Sequence, residues 1–111
     1  MALNDIEVAQ IKRCMEFFME KRRPAPFIRD EIDLMYEIQD QSVIIKEVRN
    51  VMGRTIERSI AKITFNGTQK GWKLFTLNQK GEWQGLFDDL IPTFSDAIKI
   101  VEEDEACIFF G

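Results

Sequence analysis

The chain contains no histidine. That removes the usual general base, the Ser-His and Cys-His nucleophile pairs, and the commonest metal ligand. Its two cysteines, Cys14 and Cys107, stand in no metal-ligand spacing and are too few for a disulfide framework. Both lie among apolar residues, where an inert buried thiol is the default. The six glycines are scattered at turns and form no phosphate-cradling loop. No apolar run approaches the ~20 residues that span a bilayer. MALNDIEVAQ lacks the basic and apolar pattern of a signal peptide. These absences lead to the expectation of a cytoplasmic protein in a reducing compartment, with no membrane association, no metal and no cofactor. Any catalysis is left to carboxylates, Lys73, Tyr36 or a cysteine.

What is present describes an ordinary globular domain. The 111 residues favour a single domain, 1–111, large enough to bury a core without a metal or disulfide. Hydrophobic residues make up 45% and charged residues 31%, and nine Phe with two Trp put aromatic packing at the centre of the core. The net charge is −4, which disfavours bulk attraction to nucleic acid or an anionic membrane. Residues 1–62 hold 11 basic and 11 acidic side chains, whereas residues 63–111 hold 4 and 8. An anion-seeking surface is therefore expected to be local and to lie in the first half.

Residues 4–22 read as a helix. Asn4 can cap it, Asp5 and Glu7 suit its first turn, and Ile11, Cys14, Met15 and Phe18 recur at helical steps. Lys21, Arg22 and Arg23 complement the far end of the dipole before Pro24 stops the helix. Pro24-Ala25-Pro26 reads as a stiff extended connector. In residues 30–39, Ile32, Leu34, Tyr36 and Ile38 alternate with polar neighbours, the period of a half-buried strand. Asp40-Gln41 reads as a turn and residues 42–48 as the return strand. Residues 50–58, with Gly53 and mixed charge, read as a loop. Residues 59–65 read as a third strand, and Asn66-Gly67 is a strong turn signal. GWKLFTLNQKGEWQGLF, residues 71–87, reads as a hairpin with Trp72, Leu74 and Thr76 on one side and Lys73, Phe75 and Leu77 on the other. Thr93 can cap a helix over about residues 94–104, whose acidic end opposes the dipole and should fray or stop early. Residues 106–110 read as a short closing strand. Short connections imply antiparallel pairing, so the expected class is α+β: a meander-like antiparallel sheet of about five strands flanked by an N-terminal and a C-terminal helix.

Three features are candidates for chemistry. The basic segment Lys21, Arg22, Arg23 and Arg29 reads as an anion or phosphate site, because guanidinium forks match phosphate oxygens. The plainer reading is a helix-end charge cluster partly paired with Asp30 and Glu31. The pair Trp72 and Trp83, with Lys73 and Lys80, reads as a platform on which bases stack, or plainly as large apolar anchors beside the acidic Glu82, Asp88 and Asp89. The carboxylates Asp88, Asp89, Asp96, Glu102, Glu103 and Asp104 lack the ordered spacing of a calcium loop and read as a solvated face.

The string RRPAPFIRDEIDLMYEIQDQSVIIKEVRN, followed by AKITF, WKLF, EW and the terminal FFG, resembles a family of small bacterial proteins of unknown function. The family pattern runs through an Arg-Pro-Pro connector, an Ile-Arg…Asp-Leu…Tyr strand, a Gln-Ser-Val…Glu-x-Arg return strand, an Ala-Lys strand, a Trp-Lys hairpin and a closing Phe-Phe-Gly. Matching positions include Arg23, Pro24, Pro26, Arg29, Asp33, Tyr36, Gln41, Glu47, Arg49, Lys62, Trp72, Lys73, Trp83, Phe110 and Gly111. The sequence departs from the pattern at Ala25 between the prolines and at Asn50 in place of a proline. Thr76 and Gln84 stand where the pattern has an aromatic residue and a histidine. The resemblance implies a fold and a bacterial origin rather than an activity.

The reading that follows is a non-catalytic binding or interaction module with a protein partner or a second copy of itself. The binding candidates are Arg22, Arg23, Arg29, Tyr36, Trp72, Lys73 and Trp83. The alternatives are a nucleic-acid or anion binder using Arg22, Arg23 and Arg29, and an enzyme with a carboxylate- or Arg-based site.

Overall fold

Helix α1 spans Asp5–Arg22 and is started by a reciprocal capping box. Asn4 Oδ1 accepts from the Glu7 N–H at 2.8 Å, and Glu7 Oε1 accepts from the Asn4 N–H at 3.0 Å. The computed structural model describes residues 3–105 and 108–109. At the far end of α1, Arg23 is already extended, with ψ 135°, as the residue before a proline must be. The connector is extended only as far as Ala25. Pro26–Ile28 then forms one 3-10 turn, with Pro26 supplying a preset φ at its first position.

Five strands follow: β1 Ile32–Gln39, β2 Ser42–Val51, β3 Arg54–Asn66, β4 Gly71–Leu77 and β5 Trp83–Gly85. They pair antiparallel in the order β1-β2-β3-β4-β5, and helix α2, Phe94–Glu103, comes after them. The α+β class read from the pattern is the observed one. The loop expected over residues 50–58 is not. Met52 at φ 51° and Gly53 at φ 79° form a two-residue turn that suits the strand twist. The β2–β3 hairpin therefore continues without a break to the pair Val51↔Arg54. Because β1 pairs with β2 only up to Arg49 and β4 with β3 only from Ala61 onward, residues 50–55 belong to a two-stranded arm at one end of the sheet, and residues 56–58 edge its three-stranded base.

A bulge sets the orientation of that arm. Ile45 pairs with Ala61 but Lys46 pairs with Ser59, so Ile60 is an extra residue on β3. Ile60 and Ala61 are consecutive yet both buried. The shift turns Ile56 and Arg58 to the same side as Glu47, whereas unbroken alternation would have sent them to the other side.

Apart from Gly71 and the bulged Ile60, the buried strand residues share one face. Leu34, Val43, Ile45, Ala61, Ile63, Trp72 and Leu74 meet Ile11, Met15 and Phe18 of α1 and Phe94, Ala97, Ile98 and Val101 of α2 in one core. Trp72 is its aromatic hinge. Its ring lies 5.0 Å from Phe65 and 5.2 Å, edge-on, from Phe94. Its backbone exchanges two 2.8 Å hydrogen bonds with Ile91, which ties the lead-in of α2 to β4.

The two helices run side by side in the same direction, with Lys21 of α1 paired to Glu102 of α2 at 2.9 Å. Arg22 Nε donates to the Glu102 carbonyl at 2.7 Å. Helix α2 has no basic residue in its own last turn, and α1 supplies the cations that its carbonyl end favours. The acidic run therefore does not unwind α2 before Glu103. Asp104 ends it in the left-handed region at φ 44°, and its carboxylate accepts from the N–H groups of Ile108 and Phe109 at 2.8 and 3.0 Å. Within the closing strand expected over residues 106–110, Ile108 and Phe109 form a bend; Ala106, Cys107 and Phe110, with the terminal Gly111, lie outside the described residues.

Gly71 is buried beside Leu90, and a Cβ there would fall 2.7 Å from Leu90 Cβ and 3.4 Å from the Ile91 carbonyl oxygen. Gly71→Ala is expected to destabilise the fold by about 1–3 kcal/mol through this overpacking. A lowered urea midpoint with an unchanged slope would register it; an unchanged midpoint would mean that the 88–92 segment yields freely.

Candidate functional site

The arginine segment proposed from sequence is dispersed. Arg22 is committed to the end of α2, as described above. Arg23 forks onto Asp33, with Nε to Oδ1 and Nη2 to Oδ2 both at 2.9 Å. Arg29 Nε donates to the Pro24 carbonyl at 2.8 Å, which holds the connector in its turn. Arg22 is turned to α2, whereas Arg23 and Arg29 stay near each other and both act on Asp33, whose carboxylate already occupies the Arg23 fork. The fork holds the Asp33 carboxyl below the usual carboxylate range, mainly through the hydrogen bonds from Arg23.

Tyr36 also stands apart. Its partner across the strands is the buried Ile45, so it faces the helices, and burial pushes its phenol above the ordinary value, with Glu16 adding to the rise. Asp33 is on the opposite side of β1. Arg29, Asp33 and Tyr36 therefore surround no shared pocket. The acidic candidates are likewise split: Glu102 pairs with Lys21 and Asp104 caps α2. No cluster of three metal-ligating side chains occurs among the described residues. Cys14 is half-buried on α1, and burial raises its thiol above the ordinary value, which keeps it protonated and unreactive.

The two tryptophans part company. Trp72 belongs to the core, but Trp83 pairs with Leu77 and lies on the face that neither helix covers. The strand register places a mixed surface on that face. One row runs Glu37, Ile44, Lys62, Phe75, Gly85 across all five strands; the next runs Gln39, Ser42, Thr64, Lys73. Glu37 and Lys46 form an ion pair that lowers the carboxyl and raises the amine through their hydrogen bond. The Ser42 and Thr64 hydroxyls bond at 2.8 Å.

Toward β4 and β5 the surface becomes cationic and aromatic. The Lys62 ammonium sits 5.3 Å from the centre of the Phe75 ring and 5.5 Å from that of Trp83. No carboxylate pairs with it among the described residues. Lys73 extends across the sheet and donates to the Phe87 carbonyl. Gly85 makes room for this, since a Cβ at that position would lie 2.7 Å from Lys73 Cε. Beside these residues is an open hollow of about 610 Å³, bordered by Thr64, Asn66, Lys73, Phe75 and Leu90. Of the sequence candidates, Lys73 and Trp83 share this face, and Lys73 alone borders the hollow. Lys62, Phe75 and Gly85 were missed, although the alternation of Lys62 and Thr64 with Ile63 and Phe65 marks Lys62 as facing away from the core.

A family model described as Domain of unknown function (DUF3024) matches residues 3–111. The chain belongs to this family. No curated protein matches it, and no solved structure does. No helix among the described residues of this DUF3024 chain is long and apolar enough to cross a membrane. The two hairpin positions at which it departs from the resembled pattern, Thr76 and Gln84, are direct cross-strand partners. They share the helix side of the sheet, away from Lys62, Lys73 and Phe75.

The fork between Arg23 and Asp33 carries a pH signature. An unperturbed Asp titrates near about 3.9, and Asp33 is held lower. The stabilisation is full above that ordinary value and is lost as the pH falls through the lowered one. Arg23→Gln should therefore be less stable than the parent near neutrality. The gap in urea midpoint should close between about pH 5 and about pH 2, and a gap that persists at the acid end would assign the loss to packing instead.

Proposed function

We propose that this DUF3024 protein is a non-catalytic binding module whose working surface is the uncovered sheet face, and that its partner is an extended anionic chain. The observation that carries this reading is Lys62, a cation held over two aromatic rings with no carboxylate paired to it among the described residues. Lys73 adds a second ammonium on the same face, anchored only to a backbone carbonyl. An anion arriving at these lysines breaks no ion pair among the described residues. The net charge of −4 weakens long-range steering but acts little on contacts made within a Debye length of about 8 Å. The placement of Tyr36 on the opposite side of β1 from Asp33, with Asp33 already held by the Arg23 fork, argues for binding rather than turnover.

Inorganic polyphosphate is a suitable probe, because it carries charge without other recognition features. Anisotropy of a labelled polyphosphate chain at low salt should rise with protein concentration. Lys62→Ala should weaken the interaction about fivefold, the loss of one exposed ion-pair contact of about 1 kcal/mol, with an unchanged circular dichroism spectrum. Gly85→Ala should weaken it too, by displacing Lys73 at little cost to folding. The absence of any binding by the parent protein would remove the reading.

A second reading, self-association, is favoured by the β2–β3 arm, where Met52 is 98% exposed and Val51 and Ile56 about half exposed. It predicts a concentration-dependent mass in a dilution series by light scattering, reduced by Met52→Lys. A constant monomer mass would exclude it.

A further inference from the structure

The open face combines its lysines with aromatic rings in a way that polyanion binding alone does not require. Phe75 and Trp83 lie on adjacent strands, β4 and β5, one register step apart on the same side of the sheet. Both are half-buried, so each ring is supported from beneath and at its edges while part of it meets solvent. Gly85 pairs with Phe75 across β4 and β5, and it contributes no side chain to cover the Phe75 ring, whose Cε1 is 3.9 Å from where a Cβ would be. The hollow of about 610 Å³ continues the surface past Phe75 to Thr64 and Asn66, and it has room for a further planar group.

We infer that the anionic chain is single-stranded nucleic acid, with successive bases stacked on Phe75 and Trp83 and the intervening phosphates met by Lys62 and Lys73. This rests on the reading of the open face as an anion-binding surface and adds the bases to it. Stacking is tolerant of sequence because every base has a π-face. Lys62 now occupies the ring faces as a cation and has to swing aside for a base. Its four-carbon stem lets it do so and reach the adjoining phosphate. Two phosphate contacts are few, so binding is expected to be weak and only moderately salt-dependent. The logarithm of affinity should fall with the logarithm of salt with a slope of about −1.4.

The test compares three labelled probes by anisotropy at about 50 mM salt, with protein up to about 100 µM. They are an oligo(dT) or oligo(U) strand, an abasic strand of the same length and backbone, and a polyglutamate of equal charge. The inference expects the base-bearing strand to bind at least tenfold tighter than the abasic one. Trp83→Ala should abolish most of that advantage, a loss of tenfold or more, and Trp83→Phe should restore it. Lys62→Ala should reduce the salt slope by about 0.7 and leave a preference for bases. Equal binding of base-bearing and abasic strands would overturn the stacking inference while leaving the anion-binding reading in place. Tighter binding of polyglutamate would overturn it in favour of an acidic peptide. Binding of no probe would overturn both. Should Trp83→Ala fail to fold, Phe75→Leu, which removes the other π-face while keeping an apolar side chain, carries the same comparison.

Discussion

The fold depends on one constraint: both helices lie on the same face of the sheet. The chain enters through α1 and reaches α2 by way of Ile91, which is clamped to Trp72 on β4. Phe94 then packs on Trp72 and draws α2 alongside α1. Burying apolar surface on that face is worth roughly 25 cal/mol per Å², and the large side chains Phe18, Ile11, Met15, Ile45, Ile63 and Leu74 are all committed to it. Nothing is left in the described chain to cover the other side. That side is stabilised instead by its own cross-strand neighbours, including the Glu37–Lys46 pair, the Ser42–Thr64 hydroxyl bond and Lys62 over its rings.

The same one-sidedness explains the arginines. Parallel helices bring two carbonyl ends to one corner, and α2 ends in acids. Lys21 and Arg22 neutralise that corner, and Arg23 and Arg29 then fix the chain as it leaves α1 for β1. A cluster of basic residues in sequence becomes a set of separate staples in space, because each partner is supplied by a different element.

Local signals were legible where the physics is local. The capping box at Asn4 and Glu7, the stop at Pro24, the alternation from Ile32 to Ile38 and the cap at Thr93 each depend on a few adjacent residues, and each is present. The arm was missed for an equally definite reason. Met52 takes a positive φ, which a sequence reader does not grant to methionine, and Gly53 alone looked like a loop residue. The bulge at Ile60 was also illegible, since it is defined by the partner strand and not by the strand itself. Lys62 was overlooked as a site residue because its neighbours Phe75 and Trp83 are brought to it only by the register of β3, β4 and β5. Trp72 and Trp83, which look equivalent in sequence, are separated by strand parity alone: Trp72 pairs with Phe65 over the core, and Trp83 with Leu77 on the opposite face.

The energetics of the open face favour exchange over permanence. A lysine over an aromatic ring at a partly exposed site gains about 0.5–1 kcal/mol, whereas a base stacked on such a ring gains about 1–3 kcal/mol. Replacing the ammonium by a planar group is therefore favourable, and the displaced ammonium is then available to a phosphate. The Glu37–Lys46 pair at the other side of the sheet behaves differently. Its hydrogen bond favours the charged form of both partners, so an incoming anion would have to compete with a carboxylate already in place. The two lysines share a face, and Lys62 is the more weakly held of the two. The difference in partner, an aromatic pair for one and a carboxylate for the other, is why the proposed site is assigned to the β3–β5 half of the sheet.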